Sequence, residues 1–261
     1  MSKREGKYCR ASVSDANGLS QKRTTNLGCG HFPKKATIQI KICGVTNAND
    51  ARACVELGAD MIGFNFYRKS PRYIAPTLAR RIVDTLPARV CAVGIFVDAD
   101  PTEIRELTGI AGVRCVQLHG DATPESCNEL AREFRVIRAL STDAQFEPEQ
   151  AAAFTQCDVL IDAYHPELRG GTGQTCDWSA ARDAMRYTRF LILSGGLDAQ
   201  NVGRAIAAVA PHAVDVCSGI ESAPGVKDHR ALQEFIGAVR AVERPIRATS
   251  TREPPAQCHP E

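Results

Sequence analysis

Short apolar runs alternate with amphipathic segments along most of this 261-residue chain. The apolar runs have strand length and are rich in Val, Ile, Leu and Phe, and the segments between them repeat their apolar residues at helical spacing. The predicted strands are 38–42, 61–66, 91–97, 115–118, 135–139, 159–162, 190–194 and 213–217. The predicted helices are 49–57, 76–86, 101–108, 124–134, 146–154, 178–186, 199–210 and 228–242. Eight strand–helix units favour an α/β fold with a single closed (β/α)8 TIM barrel, because an open doubly wound sheet more typically has about five or six.

Helix-start signals support several of these boundaries. A capping side chain, in two cases followed directly by proline, is typical of the first helical turn. The candidate caps are Asn47, Asp100, Thr123 and Asp198, with Pro101 and Pro124 after the second and third.

Both ends of the chain lack this alternation. Residues 1–37 carry eight Lys or Arg against two acidic residues, a charge of +6, whereas the whole chain carries +2. We expect a disordered basic extension there, with a start codon placed too far upstream or a transit peptide as alternatives. Residues 38–243 form the predicted barrel domain, and the Pro-rich segment 244–261 a flexible tail. Outside the extension the net charge is −4, which argues against a nucleic-acid-binding surface.

The cysteine pattern indicates a reduced, cytoplasmic protein. Eleven cysteines are present, but no Cys-x-x-Cys occurs and no cysteine pair lies near two spaced histidines, so neither a disulfide framework nor a zinc site is predicted. Cys91, Cys115 and Cys217 fall in apolar runs, where a thiol usually serves as a small hydrophobic side chain. No apolar run approaches the ~18 residues of a membrane helix, and no signal-peptide core is found at the N-terminus. Walker, Rossmann and His-Glu-x-x-His motifs are also missing, so nucleotide and zinc chemistry have no support.

Glycine-containing turns follow strands 7 and 8, where barrels usually bind phosphate. Gly195 and Gly196 follow strand 7, and Ser218 and Gly219 follow strand 8. Glycine lets backbone N–H groups approach an anion closely, so the two turns predict a phosphate site. The loop at 170–173, with Gly171 and Gly173, would cover the same group. The alternative is that the Gly195–Gly196 pair only makes a tight strand-to-helix turn.

Two candidate acid–base groups end strands on different sides of the barrel. Cys43 follows strand 1 and Asp162 ends strand 6, so both can face the mouth of the barrel. A base that removes a C–H proton and an acid that protonates an oxygen suit an isomerisation. A buried structural thiol and a loop-capping carboxylate are the alternatives.

Three further residues are predicted to line the pocket. Arg72 follows strand 2 beside two other basic residues, and its guanidinium can hold a carboxylate through two parallel hydrogen bonds. Gln117 and His119 end strand 4, although His119 could equally bond to backbone carbonyls.

Taken together, these segments resemble phosphoribosylanthranilate isomerases over about residues 38–242. The resemblance lies in KICGVTN at 41–47, GFNFYRKSPRY at 63–73, VQLHG at 116–120, GGTGQTCDW at 170–178, LSGGL at 193–197 and VDVCSGIE at 214–221. It implies an Amadori rearrangement of N-(5-phosphoribosyl)anthranilate, with neither metal nor organic cofactor. It also implies that Cys43 takes the proton from the sugar's C2, that Asp162 protonates the ring oxygen, that Arg72 holds the anthranilate carboxylate and that the two turns hold the phosphate. The long leader and Cys176, at a position often filled by an aromatic residue, depart from the pattern.

Two alternative functions remain at this stage. Another phosphosugar barrel, of the histidine-pathway isomerase or indole-glycerol-phosphate synthase type, would more naturally present paired carboxylates or a catalytic lysine. A non-catalytic binder of a phosphorylated ligand would need neither Cys43 nor Asp162. The expected partner is a phosphorylated small molecule, and the sequence leaves open whether the protein is a monomer or a homodimer.

Overall fold

The computed structural model describes residues 37–142, 145–162 and 178–242. The expectations for a disordered extension, for a C-terminal tail and for the loop with Gly171 and Gly173 therefore lie outside the described residues.

Eight parallel strands close into a barrel in the order of the sequence, with β1 paired to both β2 and β8. The strands are β1 (Gln39–Ile42), β2 (Met61–Asn65), β3 (Cys91–Val97), β4 (Cys115–His119), β5 (Arg135–Ser141), β6 (Asp158–Asp162), β7 (Leu191–Ser194) and β8 (Ala213–Val216). The α-helices are α1 (Ala48–Leu57), α2 (Pro76–Val83), α3 (Pro101–Ala111), α4 (Pro124–Leu130), α5 (Ser179–Ala184), α6 (Val202–Val209) and α7 (His229–Val242). The predicted (β/α)8 fold is confirmed. None of the described helices is both long and apolar enough to cross a bilayer.

Local chemistry sets where most helices begin and end. The side chains of Asn47, Asp100 and Thr123 accept hydrogen bonds from backbone N–H groups of the following first turn, as predicted. Helix α3 runs past the predicted end at residue 108 and stops at Gly112, whose φ of 72° suits glycine.

Two predicted helices differ from the structure in their type or in where they begin. The segment predicted as helix 146–154 is a 3₁₀ helix over Pro148–Ala153, six residues long and without a side-chain cap. The helix predicted over 199–210 begins only at Val202, because the Asp198 carboxylate accepts the N–H groups of Gln200 and Asn201 and holds these residues in a turn.

The barrel wall separates two apolar layers. Alternate strand residues point inward, where Met61, Val93, Ile137, Leu160 and Ile192 form the apolar interior. The other face of each strand packs against the helices in a larger apolar cluster. Nearer the carboxyl ends of the strands, the buried residues become polar. We call this end the C-terminal rim.

A short antiparallel hairpin follows β8 and was not predicted. It consists of β9 (Glu221–Ala223) and β10 (Val226–Lys227), and Gly225 at its turn has a φ of 80°. The Lys227 N–H donates to the Asp50 carboxylate of α1 at 2.9 Å. The hairpin is thereby fixed to the rim beside β1 and brings Glu221 and Lys227 there.

Candidate active site

Strand register brings four polar residues into one arc below the C-terminal rim. Asp162 on β6 lies opposite Ser194 on β7, and Asp215 on β8 lies opposite Lys41 on β1. The Ser194 hydroxyl donates to the Asp215 carboxylate at 3.1 Å, which links the two pairs. Residues paired in register share a face of the sheet, so the arc runs along the inside of the barrel from β6 to β1.

A fully buried ion pair closes this arc. Lys41 is 0% exposed, and its Nζ donates to Asp215 Oδ1 at 2.7 Å. Burial has the largest single effect and lowers the pKa of Lys41, but the charge and hydrogen bond of Asp215 together with the charges of Cys43 and Cys217 raise it overall. Lys41 therefore carries a fixed positive charge beneath the rim.

Replacing Lys41 with methionine should destabilise the fold by about 3 to 5 kcal/mol, because Asp215 would be left as an uncompensated buried charge. Denaturant unfolding of the full chain measures the loss. The exposed Arg80–Asp84 pair on α2 is the control, since Arg80→Ala should change stability little. A Lys41→Met variant as stable as wild type would contradict the importance of the pair.

Cys43 follows β1 at the rim and lies against β2 and β8. Its N–H donates to the Val216 carbonyl at 2.9 Å, which continues the ladder between β1 and β8. Opposite it on β2, a Cβ at Gly63 would approach the Cys43 sulfur to 3.2 Å, so the absence of a side chain there makes room for the thiol. Cys43 as a whole is half-buried.

The surroundings of Cys43 favour its thiolate form. A hydrogen bond from Cys217 lowers the pKa of Cys43 to about 7, with Lys41 and Lys227 contributing in the same direction and burial opposing them. The Cys43 thiol can therefore ionise near neutral pH. Cys217 is more than the small hydrophobic side chain that its apolar run indicates, because its Sγ also donates to Glu221 Oε1 at 3.8 Å. Cys115 is buried in the apolar interior, as that interpretation predicts.

Asp162 lies at the end of β6, at the expected edge of the barrel. Its backbone carbonyl accepts hydrogen bonds from the Thr142 N–H at 3.1 Å and from the Thr142 hydroxyl at 3.2 Å. These bonds tie the ends of β5 and β6 together and fix the backbone from which the carboxyl group projects.

Arg72 lies at the rim and forms an ion pair with Glu221 that was not predicted from the sequence. Its Nε and Nη2 donate to the Glu221 carboxylate at 3.0 and 2.6 Å. The carboxylate is nearly buried, and it also accepts a hydrogen bond from Lys227 Nζ at 2.8 Å. Hydrogen bonding to Glu221 raises the pKa of Arg72. Glu221 thus fixes the guanidinium at the edge of the pocket.

On the opposite wall, Gln117 and His119 contact each other. Gln117 Nε2 and His119 Nε2 are 2.6 Å apart, and burial together with the charge of Lys41 lowers the pKa of His119 to about 4. The ring is therefore neutral at neutral pH and contacts the side-chain amide of Gln117. The carboxylate of neighbouring Asp98 accepts a hydrogen bond from the Asp121 N–H at 2.9 Å.

The turns after β7 and β8 pack directly together. Gly195 and Gly196 have φ values of 96° and 61°, which favour glycine. A Cβ at Gly219 would collide with the Leu197 carbonyl, so the β8 turn needs glycine to approach the β7 turn. The Asn201 amide donates to the Gly196 carbonyl at 2.8 Å and holds the first turn in place. This geometry is compatible with the predicted anion site.

A closed (β/α)8 barrel with ionisable side chains at its C-terminal rim defines the class of this protein as a barrel enzyme. Within the described ranges, no group of three or more His, Cys, Asp or Glu side chains is arranged to hold a metal ion.

Comparison with known proteins narrows this class to one family. The model of the N-(5'phosphoribosyl)anthranilate (PRA) isomerase family matches residues 40–238. A relative from Trichlorobacter lovleyi named N-(5'-phosphoribosyl)anthranilate isomerase is 44% identical over 199 residues, which cover 76% of this chain and 96% of the relative. This chain belongs to the PRA isomerase family.

Solved structures agree with that assignment. The crystal structure of phosphoribosyl anthranilate isomerase from Thermotoga maritima matches with a TM-score of 0.73 and 42% identity, covering 78% of this chain and 100% of that chain. A second isomerase structure, in complex with reduced 1-(o-carboxyphenylamino)-1-deoxyribulose 5-phosphate, matches with a TM-score of 0.71 and 40% identity over the same shares.

Proposed function

We propose that this chain isomerises N-(5'-phosphoribosyl)anthranilate to 1-(o-carboxyphenylamino)-1-deoxyribulose 5-phosphate, a step of tryptophan biosynthesis. The observation that carries the proposal is the half-buried Cys43 thiol, whose pKa is lowered to about 7 at the end of β1. A thiol with this pKa is available as a general base at neutral pH, which a purely ligand-binding barrel would not need.

Cys43 and Asp162 supply the two proton transfers of the reaction. The Asp162 carboxylic acid protonates the ring oxygen, so the furanose opens to a protonated Schiff base. The Cys43 thiolate then removes the proton from C2, which leaves an enol-amine that tautomerises to the 2-ketose. No net proton is gained or lost, and the rate needs a deprotonated Cys43 together with a protonated Asp162.

Arg72 binds the anthranilate carboxylate in this proposal. Glu221 already holds Nε and Nη2 at hydrogen-bond distance. The substrate carboxylate would therefore approach the guanidinium from the Nη1 edge. The neutral His119 and Gln117 would face the sugar hydroxyls from β4, where uncharged partners do not disturb the acid–base pair.

The phosphate is proposed to bind at the β7 and β8 turns, so a side chain at Gly219 should block it. In a Gly219→Ala variant the added methyl group would collide with the Leu197 carbonyl and separate the turns. We expect KM to rise at least about tenfold, the equivalent of one lost charge-assisted hydrogen bond. Steady-state kinetics measure this, and Gly109→Ala on α3, where an added Cβ meets nothing within 4 Å, is the control. Unchanged KM would place the phosphate elsewhere.

The remaining features of the proposal concern setting and assembly. We place the reaction in the cytoplasm, with a phosphorylated small molecule rather than nucleic acid as the partner. The seven described cysteines are free, which suits a reducing compartment. A structure of the Thermotoga maritima relative is described as generated monomers of a dimeric isomerase, and for this chain we propose a monomer or a homodimer.

Complementation tests the proposal in a cell. The full chain should restore growth without tryptophan to a strain that lacks this isomerase, and Cys43→Ser and Asp162→Asn variants expressed at equal levels should not. Failure of the folded wild-type chain to support growth, or equal growth with both variants, would contradict the proposed activity.

A further inference from the structure

The Glu221 carboxylate is the centre of a hydrogen-bond cluster beside the pocket, and it takes part in neither proton transfer of the proposed reaction. Its Oε2 accepts from Arg72 Nη2 at 2.6 Å, and both oxygens accept from Arg72 Nε at 3.0 Å. Its Oε1 also accepts from Lys227 Nζ at 2.8 Å, from the Gly225 N–H at 3.2 Å and from Cys217 Sγ at 3.8 Å. Since a carboxylate has about four acceptor sites, little capacity is left for a substrate group.

The hairpin of β9 and β10 holds this carboxylate in place. The Lys227 N–H donates to the Asp50 carboxylate of α1 at 2.9 Å, and the Thr46 hydroxyl donates to the Gly225 carbonyl at 2.6 Å. The side chains of Lys227 and Glu221 are 0% and 4% exposed. Glu221 is therefore fixed by the fold itself, independently of any substrate.

The Arg72 guanidinium is oriented by Glu221 and keeps one edge open. The carboxylate binds the edge formed by Nε and Nη2. Within the part of the chain that the structure describes, no group accepts a hydrogen bond from Nη1, and the Arg72 side chain is 23% exposed. A guanidinium has five N–H donors in one plane, so the edge formed by Nη1 and Nη2 can bind a second carboxylate through two parallel bonds.

The Arg72 side chain reaches this position over the backbone next to the proposed base. A Cβ at Gly44 would approach Arg72 Cδ to 2.8 Å, so glycine lets the arginine pack directly on the residue that follows Cys43. The separation between the open guanidinium edge and Cys43 is therefore set by packing at one end of the arginine and by Glu221 at the other.

We propose that Glu221 is a positioning residue that acts through Arg72 and makes the site selective for amines that carry a carboxylate. The inference rests on the proposed function, because it assigns Glu221 a part in binding the anthranilate group. A guanidinium held in advance loses less conformational freedom when the substrate carboxylate binds, so the carboxylate contributes more to affinity.

Calorimetry on the full chain measures this contribution directly. It compares reduced 1-(o-carboxyphenylamino)-1-deoxyribulose 5-phosphate with the reduced phenylamino compound, which lacks the carboxylate. We define the carboxylate ratio as the Kd of the second ligand divided by the Kd of the first. Glu221→Gln should lower this ratio at least about tenfold, the equivalent of one charge-assisted hydrogen bond, and should change the Kd of the phenylamino compound less than about twofold.

A double variant separates positioning from charge. The side chains of Arg72, Lys227 and Glu221 carry two positive charges and one negative charge, and Glu221→Gln removes the negative one. The added net positive charge alone would tighten the binding of an anion, which is opposite to the proposed effect. Glu221→Gln combined with Lys227→Met restores the balance and leaves no buried lysine without a partner, and it should show the same lowered carboxylate ratio.

Kinetics provide a second readout. With phosphoribosylanthranilate, Glu221→Gln should raise KM about tenfold and lower kcat no more than about threefold, as expected when a binding contact is loosened. With N-(5'-phosphoribosyl)aniline, followed by chromatography of the product, the variant and the wild type should behave alike. Glu133→Gln is the matched control, because Glu133 accepts from Nε and Nη2 of Arg105 on the protein surface. It should change neither the carboxylate ratio nor KM.

The outcomes separate this inference from the proposed function. An unchanged carboxylate ratio in both Glu221 variants, or an equal loss of affinity for both ligands, would overturn the positioning role. A carboxylate ratio that rises in Glu221→Gln and returns to the wild-type value in the double variant would show an effect of charge alone and would also overturn it. A wild-type chain that binds the reduced analogue without turning over phosphoribosylanthranilate would contradict the proposed function, while the carboxylate ratio would still report on Glu221.

Discussion

Replacing Cys43 with serine should lower kcat about 10³-fold, the range expected for removal of a general base. A serine hydroxyl is far less acidic than a thiol, so no base is formed at neutral pH beside Lys41. The side chains differ little in size, so the pocket next to Gly63 and the phosphate turns should remain intact. Stopped-flow fluorescence with phosphoribosylanthranilate gives kcat, and calorimetry with the reduced product analogue gives the affinity.

The matched control for this variant is Cys91→Ser, which makes the same exchange on the same barrel wall, far from the rim. It should retain wild-type kcat. Activity of Cys43→Ser within a few-fold of wild type would exclude this thiol as the base. Loss of analogue binding in the same variant would assign the defect to the pocket instead.

Replacing Asp162 with asparagine should reduce kcat by a similar factor of about 10³, because the amide cannot deliver a proton to the ring oxygen. Asparagine preserves the size and the backbone bonds to Thr142, so the ends of β5 and β6 should stay together. An open-chain Schiff-base mimic that needs no ring opening should bind unchanged. Steady-state kinetics and analogue calorimetry measure the two effects.

The control for Asp162 is Asp158→Asn, at the other end of β6, where the carboxylate pairs with Arg135. That variant should lose stability rather than kcat. If Asp162→Asn kept more than about a tenth of wild-type kcat, the acid would have to be another group, since removing a general acid typically costs at least about a hundredfold.

Much of the fold could be predicted because apolar residues repeat with a different period in strands and in helices, and because helix caps act over a few residues. Asn47, Asp100 and Thr123 act on N–H groups two or three residues away, so the sequence reveals them directly. The prediction of an α-helix over 146–154 was wrong. Its apolar spacing fits more than one kind of helix, and the segment has no capping side chain that would start an α-helix.

The rim positions of Cys43, Asp162 and Arg72 could be predicted because barrel strands all end on the same side. The residues that contact them could not be predicted. Lys41 and Asp215 are 174 residues apart, and only the register between β1 and β8 brings them together. The same register places Cys217 against Cys43, and the unpredicted hairpin brings Glu221 to Arg72. Sequence spacing indicates which side chains reach the rim, whereas closure of the barrel determines which of them meet.

The most direct test of the proposed mechanism is the pH dependence of kcat/KM. Turnover of phosphoribosylanthranilate by the purified full chain is measured as the loss of anthranilate-type fluorescence. Because Cys43 must be deprotonated to accept the C2 proton, the low-pH side of the profile should follow a pKa of about 7. The rate should fall again at high pH, where the general acid Asp162 has lost its proton, and the Cys43→Ser variant should show almost no rate. A fluorescence signal that stays constant, or a rate that is already maximal below about pH 5 as for a carboxylate base, would contradict it.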